Sequence, residues 1–199
     1  MILETEAALN LSLRVARAVD NQNSNEDERS FARISTAISK YWVTKRAPYL
    51  VFEALECHGG PGYIEESIMP RLYREAPLNS IWEGSGNIMC LDVLRALQRD
   101  KNALPALFRE LASAKGSNKN FDESFSHLKE TLQDPMDLEI EARLLTEKMA
   151  CLIQASIFIK SGEEEKISAF CNSRLGPRWS GAFGTLPTDT SFEYIIGGL

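Results

Sequence analysis

The stretch from Glu28 to Cys57 carries apolar side chains at helical spacing, with Phe31, Ile34, Ile38, Tyr41/Trp42, Val51/Phe52 and Leu55 on one face, and it ends at Gly59-Gly60. A helix this long has to bury its apolar stripe against other helices, and the glycines supply a C-terminal stop. Pro48 removes one backbone hydrogen bond inside it and predicts a kink. Other segments keep the same period. Ile2–Val19 reads as a helix whose Leu3, Ala7, Asn10/Leu11, Arg14 and Ala18, joined by Leu9, Leu13 and Ala16, make a broad apolar side; the Asn- and Ser-rich Asp20–Asp27 breaks it. A short helical piece around Ile64–Leu72 leads to Pro77. Beyond Arg99, Pro105 opens a short helix to Ala114, Gly116–Asn120 is a polar break, and Phe121–Gln133 is helical. Pro135 starts a long helix from Met136 to Ile159, Glu163–Arg174 is the last helix, and the tail from Gly176 is loop pinned by Trp179, Phe183 and Phe192. With no β-rich run and no internal repeat, the expected fold is an all-α helical bundle.

Composition narrows the function classes. An apolar share of 44% suits a globular core. The longest apolar runs, Tyr49–Leu55 and Ile153–Ile159, fall far below the roughly 20 residues a spanning helix needs. No basic leader with an apolar core opens the chain, so no membrane partner and a cytoplasmic location are expected. Cys57, Cys90, Cys151 and Cys171 are widely spaced, with only two His in the chain, which argues against a zinc site or a disulfide framework. Reduced core thiols and no metal are expected.

The chemistry-bearing stretch is Ile81-Trp82-Glu83-Gly84-Ser85-Gly86-Asn87. Two glycines around a Ser make a tight loop, and Ile88, Leu91, Leu94 and Leu97 at three-residue steps make the following segment a helix. Ser85 is placed to cap it, and Glu83 stands just before a helix N-terminus, where open N–H groups favour anions. Taken alone, Glu83 is a carboxylate favoured by the helix dipole, an effect of at most ~1 kcal/mol at an exposed site.

Two motifs sharpen this reading. Glu53-Ala54-Leu55-Glu56 followed by Gly59-Gly60-Pro61-Gly62-Tyr63 resembles the A-x-Q-x-x-G-G-x-G-[YF] turn of the flavin-dependent acyl-CoA dehydrogenases. Arg74-Glu75-Ala76, four residues, then Ile81-Trp82-Glu83-Gly84-Ser85 resembles the family's R-D-A-x4-I-Y-E-G-T loop. Trp82, Ser85, Asn87 and the preceding MPRLYRE resemble the AidB-like branch, which is associated with the bacterial response to DNA alkylation. The resemblance implies a C-terminal helical domain at 1–100, entered after its first helix, and an AidB-like helical extension at 101–199. It further implies that residues 1–199 alone lack most of the flavin and acyl-CoA contacts and are inactive by themselves. Phe31, Ile38, Trp42 and the neighbours of Leu91 should then be incompletely covered, leaving an apolar groove.

Roles follow from the same resemblance. Glu83 matches the base that removes the α-proton of an acyl-CoA thioester, and its backbone N–H matches a donor to the thioester oxygen. Trp82, Glu83 and Gly84 match the substrate-binding positions; Trp82 is equally readable as a packed core aromatic. Ser85 and Asn87 match contacts to FAD, and Glu56, Gly59 and Gly60 match the turn that meets the flavin of a neighbouring subunit in family homotetramers. Glu56 departs from the pattern: most members carry a neutral amide there, whereas an ionised carboxylate cannot donate to a phosphate and repels it. His58 reads as a helix-end residue, and Arg71 and Arg74 as partners in internal salt bridges. The AidB-like resemblance also raises a DNA-binding or protein-interaction module as the alternative. With 22 basic and 28 acidic residues the net charge is −6, against the usual basic domain of a duplex binder. Arg95, Arg99, Lys101, Arg109, Lys115 and Lys119 remain as a basic run near the start of the extension.

Overall fold

The computed structural model describes residues 1–133, 138–177 and 179–197. The chain is all-α: α1 (Ile2–Asn21), α2 (Glu26–Cys57), α3 (Gly60–Tyr63), α4 (Met69–Glu75), a 3-10 turn (Ala76–Ser80), α5 (Gly86–Arg99), α6 (Ala103–Ala112), α7 (Lys119–Gln133), α8 (Ala142–Ser161), α9 (Glu164–Arg174) and α10 (Phe192–Gly197). No strand occurs among the described residues.

The long helix α2 is the spine, with α1, α3, α4, the 3-10 turn, α5, α6 and α8 all packed on it. It runs through Pro48 as one helix and begins two residues before the sequence-based start. Asn25 explains that start: its Oδ1 accepts from the N–H groups of Asp27 (2.9 Å) and Glu28 (3.3 Å), and Glu26, Asp27 and Glu28 put negative charge on the first turn. Replacing Asn25 with Ala should lower the unfolding free energy by about 1 kcal/mol; an unchanged urea midpoint would refute the capping role.

The second half of the chain completes the core. Helix α8 packs against α1, α2, α5, α6, α7 and α9, and from Leu145 to Phe158 it is buried except at Glu147, Lys148 and Ile157, which are partly so. Of its buried polar residues, Thr146 and Ser156 donate to the Ala142 and Ile153 carbonyls of the helix itself, and Gln154 Oε1 accepts from the Trp42 indole N–H at 3.2 Å. The expected apolar groove is therefore not present at these positions. Phe31, Ile38 and Trp42 are buried and Leu91 is partly buried against the core, because α8 lies over them.

Other features differ from expectation as well. Helix α8 starts at Ala142 rather than Met136; Met136 lies outside the described residues, and 138–140 are in turns, with Ile140 facing solvent. The apolar repeat that anchors α8 begins only at Ala142 and Leu145. The tail includes a helix, α10, which packs on α1 and α9 through the buried Ile195. Trp179 and Phe183 do pin the tail, but Phe192 is half exposed. On α1 the buried line is Leu3, Glu4, Ala7, Leu11 and Ala18, whereas Leu9 and Leu13 face outward, so its core side is narrower than the sequence suggested.

A buried charge cluster ties the ends of the chain to α2. Glu4 Oε1 accepts from Arg46 Nε at 2.7 Å and Oε2 from Arg174 Nη2 at 2.9 Å. Arg46 also donates to the Gly181 carbonyl at 2.7 Å and lies over the rings of Trp42, Trp179 and Phe183. On the outer face, Arg14 pairs with Glu28 and Glu110, and Lys160 joins through Glu110.

The four thiols are free, and three of them are buried. Burial pushes the Cys151 thiol up, and that of Cys171 to about 12. Cys57, read as a core thiol, is exposed because it sits in the last turn of α2 beside the glycine stop. A thiol reagent should modify one cysteine rapidly in the native protein and all four in denaturant. Rapid modification of two or more in the native state would contradict this packing.

Candidate functional site

The loop between the 3-10 turn and α5 is held in an unusual backbone conformation. Glu83 has φ 55°, the one positive value at a non-glycine residue among those described, and Gly84 follows at φ 117°. Such a conformation costs an L-residue on the order of 1–3 kcal/mol and persists only where its surroundings impose it. Here the support is visible. The N–H groups of Ile81 and Trp82 both donate to the Leu78 carbonyl, at 2.9 and 3.3 Å. Lys40, on α2, donates from Nζ to the Trp82 carbonyl at 3.0 Å and to the Gly84 carbonyl. Gly84 is favoured by its φ, whereas an added Cβ would stand 2.4 Å from Met89 Cε, the end of a flexible side chain that can move aside. The carboxylate of Glu83 is exposed, with no ion pair or hydrogen bond among the described residues. Trp82 is 57% exposed, so it is not a packed core aromatic.

The N-terminus of α5 continues the site. Ser85 occupies the cap position, yet its hydroxyl makes no capping bond, so the first N–H groups of α5 stay open. Gly86 allows Lys45 to cross the helix end, where an added Cβ would lie 2.6 Å from Lys45 Cε. Asn87 accepts from Arg143 Nε on α8 at 2.6 Å, which leaves its amide NH2 without a partner among the described residues. An open helix end, two cations and a free amide donor make a chemical set suited to an anionic group.

The glycine turn lies elsewhere. After α2 ends at Cys57, His58 takes the cap position and Gly59 adopts φ 62°; Glu56, Gly59 and Gly60 are all exposed. Lys40 and Cys57 are 17 residues apart on one helix, about 25 Å at 1.5 Å per residue. The two motifs are thus not joined in one pocket within this chain. Between them, Arg74 pairs with Glu65 (2.6 Å) and Arg71 with Glu75 (3.2 Å), the internal salt bridges expected.

Other candidates take ordinary places. A cleft of about 910 Å³ opens between α2, α8 and the tail, lined by Trp42, Lys45, Arg46, Tyr49, Arg143 and Trp179 among others, but Glu83 is not on its wall. In the basic run, Arg95 pairs with Asp92, Arg109 with Asp27 and Lys119 with Glu123. Half of that positive charge is neutralised locally. His127 bonds to Thr131 one turn along α7. No cluster of metal-ligating side chains and no helix long and apolar enough to cross a membrane is found among the described residues. Lys40, Lys45 and Arg143 went unnoticed in the sequence, because nothing in their local spacing shows that they converge on residues more than 40 positions away.

Comparison with known proteins gives the family of the chain. Residues 1–98 match the model of the acyl-CoA dehydrogenase C-terminal domain. The chain is 39% identical to Escherichia coli (strain K12) AidB over 178 residues, 89% of this chain and 32% of that protein. It is 35% identical to acyl-CoA dehydrogenase family member 11 of Caenorhabditis elegans over 136 residues, 68% of this chain and 21% of that protein. The crystal structure of Caenorhabditis elegans ACDH-11 in complex with C11-CoA superposes with a TM-score of 0.75 at 25% identity, covering 87% of this chain and 35% of that one. The chain thus spans about a third or less of the length of these relatives. Through the helices that carry the glycine turn and the Glu83 loop, it belongs to the acyl-CoA dehydrogenase family.

Proposed function

We infer that this chain supplies the base-bearing helical part of an FAD-dependent, AidB-like oxidoreductase that introduces an α,β double bond into acyl-CoA thioesters. The observation that carries this reading is Glu83: an exposed, unpaired carboxylate on a loop held in a left-handed conformation, at the position of the family's base. A carboxylate so fixed can take the α-proton, while the Glu83 N–H, which donates to nothing among the described residues, is free to bind the thioester oxygen as negative charge builds there. Trp82 and Gly84 flank the base and would meet the acyl group.

FAD, when bound, would accept the β-hydride. The donors at the start of α5 fit an anionic dinucleotide: Ser85 with its free hydroxyl, Asn87 with its free amide, and Lys45 across Gly86. At the glycine turn, an added Cβ on Gly59 or Gly60 would meet nothing within 4 Å, so a ligand has open access to that backbone. Glu56 beside it fits poorly, since its carboxylate repels a pyrophosphate. The roughly 25 Å between the two motifs supports assigning Gly59 and Gly60 to the flavin of a neighbouring subunit in a homotetramer. Exposed Tyr63, Ile64, Ile68, Ile81 and Trp82 are apolar surface suited to cover by such partners in a cytoplasmic assembly. Residues 1–100 would then be the catalytic helical domain, and 101–199 an extension that braces it.

The test is anaerobic reduction of the flavin by a saturated acyl-CoA in the flavin-loaded protein that carries this domain. Bleaching of the flavin, with formation of the enoyl-CoA, is expected. A protein that binds flavin but is not bleached by any saturated acyl-CoA would overturn the reading.

A further inference from the structure

Among the described residues, the Lys40 ammonium is the one group outside the loop that hydrogen-bonds the backbone on both sides of Glu83, through the Trp82 and Gly84 carbonyls. It comes from the middle of α2, is half-buried, and has no carboxylate partner among the described residues. Its side-chain hydrogen bonds are both spent on this loop. In a trans peptide the C=O and N–H of one plane point in opposite directions. A carbonyl drawn toward α2 therefore turns the N–H of the same peptide away from α2.

Two N–H groups are governed in this way. The Trp82 carbonyl shares its peptide plane with the N–H of Glu83, and the Gly84 carbonyl shares its plane with the N–H of Ser85. Neither N–H donates to any group among the described residues, whereas those of Ile81 and Trp82 are tied to Leu78. An ammonium on the carbonyl also polarises the plane and makes its N–H a stronger donor. Glu83, with its left-handed φ of 55°, lies between these two carbonyls.

From this geometry we propose that Lys40 is a positioning residue that aims and strengthens the Glu83 N–H as the donor to the thioester carbonyl of acyl-CoA. The inference rests on the reading of Glu83 given above, and adds what makes that peptide competent. Lys40 touches neither substrate nor flavin; it acts through the peptide plane. A plain structural clamp would affect folding and loop order, but not the electronic state of a bound carbonyl.

The experiment uses the flavin-loaded protein that carries this domain and an acyl-CoA labelled with ¹³C at the thioester carbonyl. Isotope-edited infrared spectra report polarisation of that bond directly. In the parent protein the bound carbonyl band should shift to lower frequency than in free ligand. Lys40→Met should return it most of the way to the free position and cut flavin reduction by roughly 10²-fold, the usual effect of losing one oxyanion donor, with ligand affinity changed far less. Lys40→Arg, which keeps the charge and the donors, should restore much of both. Thermal melts of the two variants separate this from unfolding. A parent band that does not shift, or a Lys40→Met band that stays at the parent position, would overturn the proposal. Glu83→Gln keeps the backbone N–H, so it should retain the infrared shift while losing flavin reduction. Rapid flavin reduction by Glu83→Gln would instead count against the base assignment and leave the Lys40 result to be judged on the infrared band.

Discussion

Glu83→Gln will slow reduction of the flavin by a saturated acyl-CoA by roughly 10²-fold or more, with little change in stability. Glutamine keeps the length and planar end of the side chain but cannot accept the α-proton, and losing a positioned base typically costs 10²–10⁴-fold. The stability half of the expectation follows from the site. The Glu83 side chain is exposed and unpaired among the described residues, so no buried partner loses its counter-charge. The loop is held by backbone carbonyls on Lys40 and by the Leu78 carbonyl, none of which involves the carboxylate. Stopped-flow bleaching of the flavin measures the first effect, and a urea midpoint the second. Bleaching at the parent rate would reduce Glu83 to a charge at a helix end; a large loss of stability would mean that its side chain does hold the loop.

What could be read in the sequence was local. The spacing of Phe31, Ile34 and Ile38, and the stop at Gly59, depend on neighbours within a few turns, and α2 lies within two residues of its expected span. The Glu83 loop was equally legible, because glycines at 84 and 86 constrain backbone geometry close by. What the sequence hid is long-range. Lys40 and Trp82 are 42 positions apart, Trp42 and Gln154 are 112, and Glu4 and Arg174 are 170. A lysine at a semi-polar helix position looks like any solvated lysine until the packing of the 3-10 turn on α2 brings two carbonyls under it.

The same limit explains the misplaced groove. Apolar faces on α1, α2 and α5 were correctly seen as needing cover, but a strip of sequence does not say which later helix supplies it. Helix α8 does so, with its Leu145–Phe158 stretch largely buried among six other helices. Ser85 shows a subtler failure: its position at the cap was foreseen, while the hydroxyl stays unbonded. In the proposed site that hydroxyl and the open N–H groups of α5 are left for a ligand.

The largest expected loss of stability comes from Glu4→Gln. The carboxylate of Glu4 and the guanidiniums of Arg46 and Arg174 are each about nine-tenths or more buried, and the one carboxylate serves both cations. Neutralising it leaves two buried positive charges with one amide oxygen, aromatic faces and one backbone carbonyl for compensation, and turns an amide NH2 toward one of the guanidiniums. Removing one partner of a buried ion pair typically costs about 3–5 kcal/mol, roughly a fifth or more of a total near 5–15 kcal/mol. Two groups in the cluster already lack partners among the described residues, Arg46 Nη2 and Arg174 Nε, so little is left to take up the loss. Arg174→Met should be milder, since it leaves Glu4 and Arg46 as a neutral pair. The pH dependence has a definite sign. Burial pushes the Glu4 carboxyl up, but the hydrogen bonds and charges of Arg46 and Arg174 outweigh it and hold the carboxyl below the usual range. Its contribution is therefore full above the unfolded-state pKa of about 4.3 and disappears as pH falls through the depressed native value. Glu110, held down against its own burial by Arg14 and Lys160, adds to acid lability in the same direction. Urea midpoints for the parent and Glu4→Gln should differ widely at pH 7 and converge as the solution is acidified. A gap that stays constant down to pH 3, or an Arg174→Met variant less stable than Glu4→Gln, would show that the cluster stabilises by packing rather than by charge.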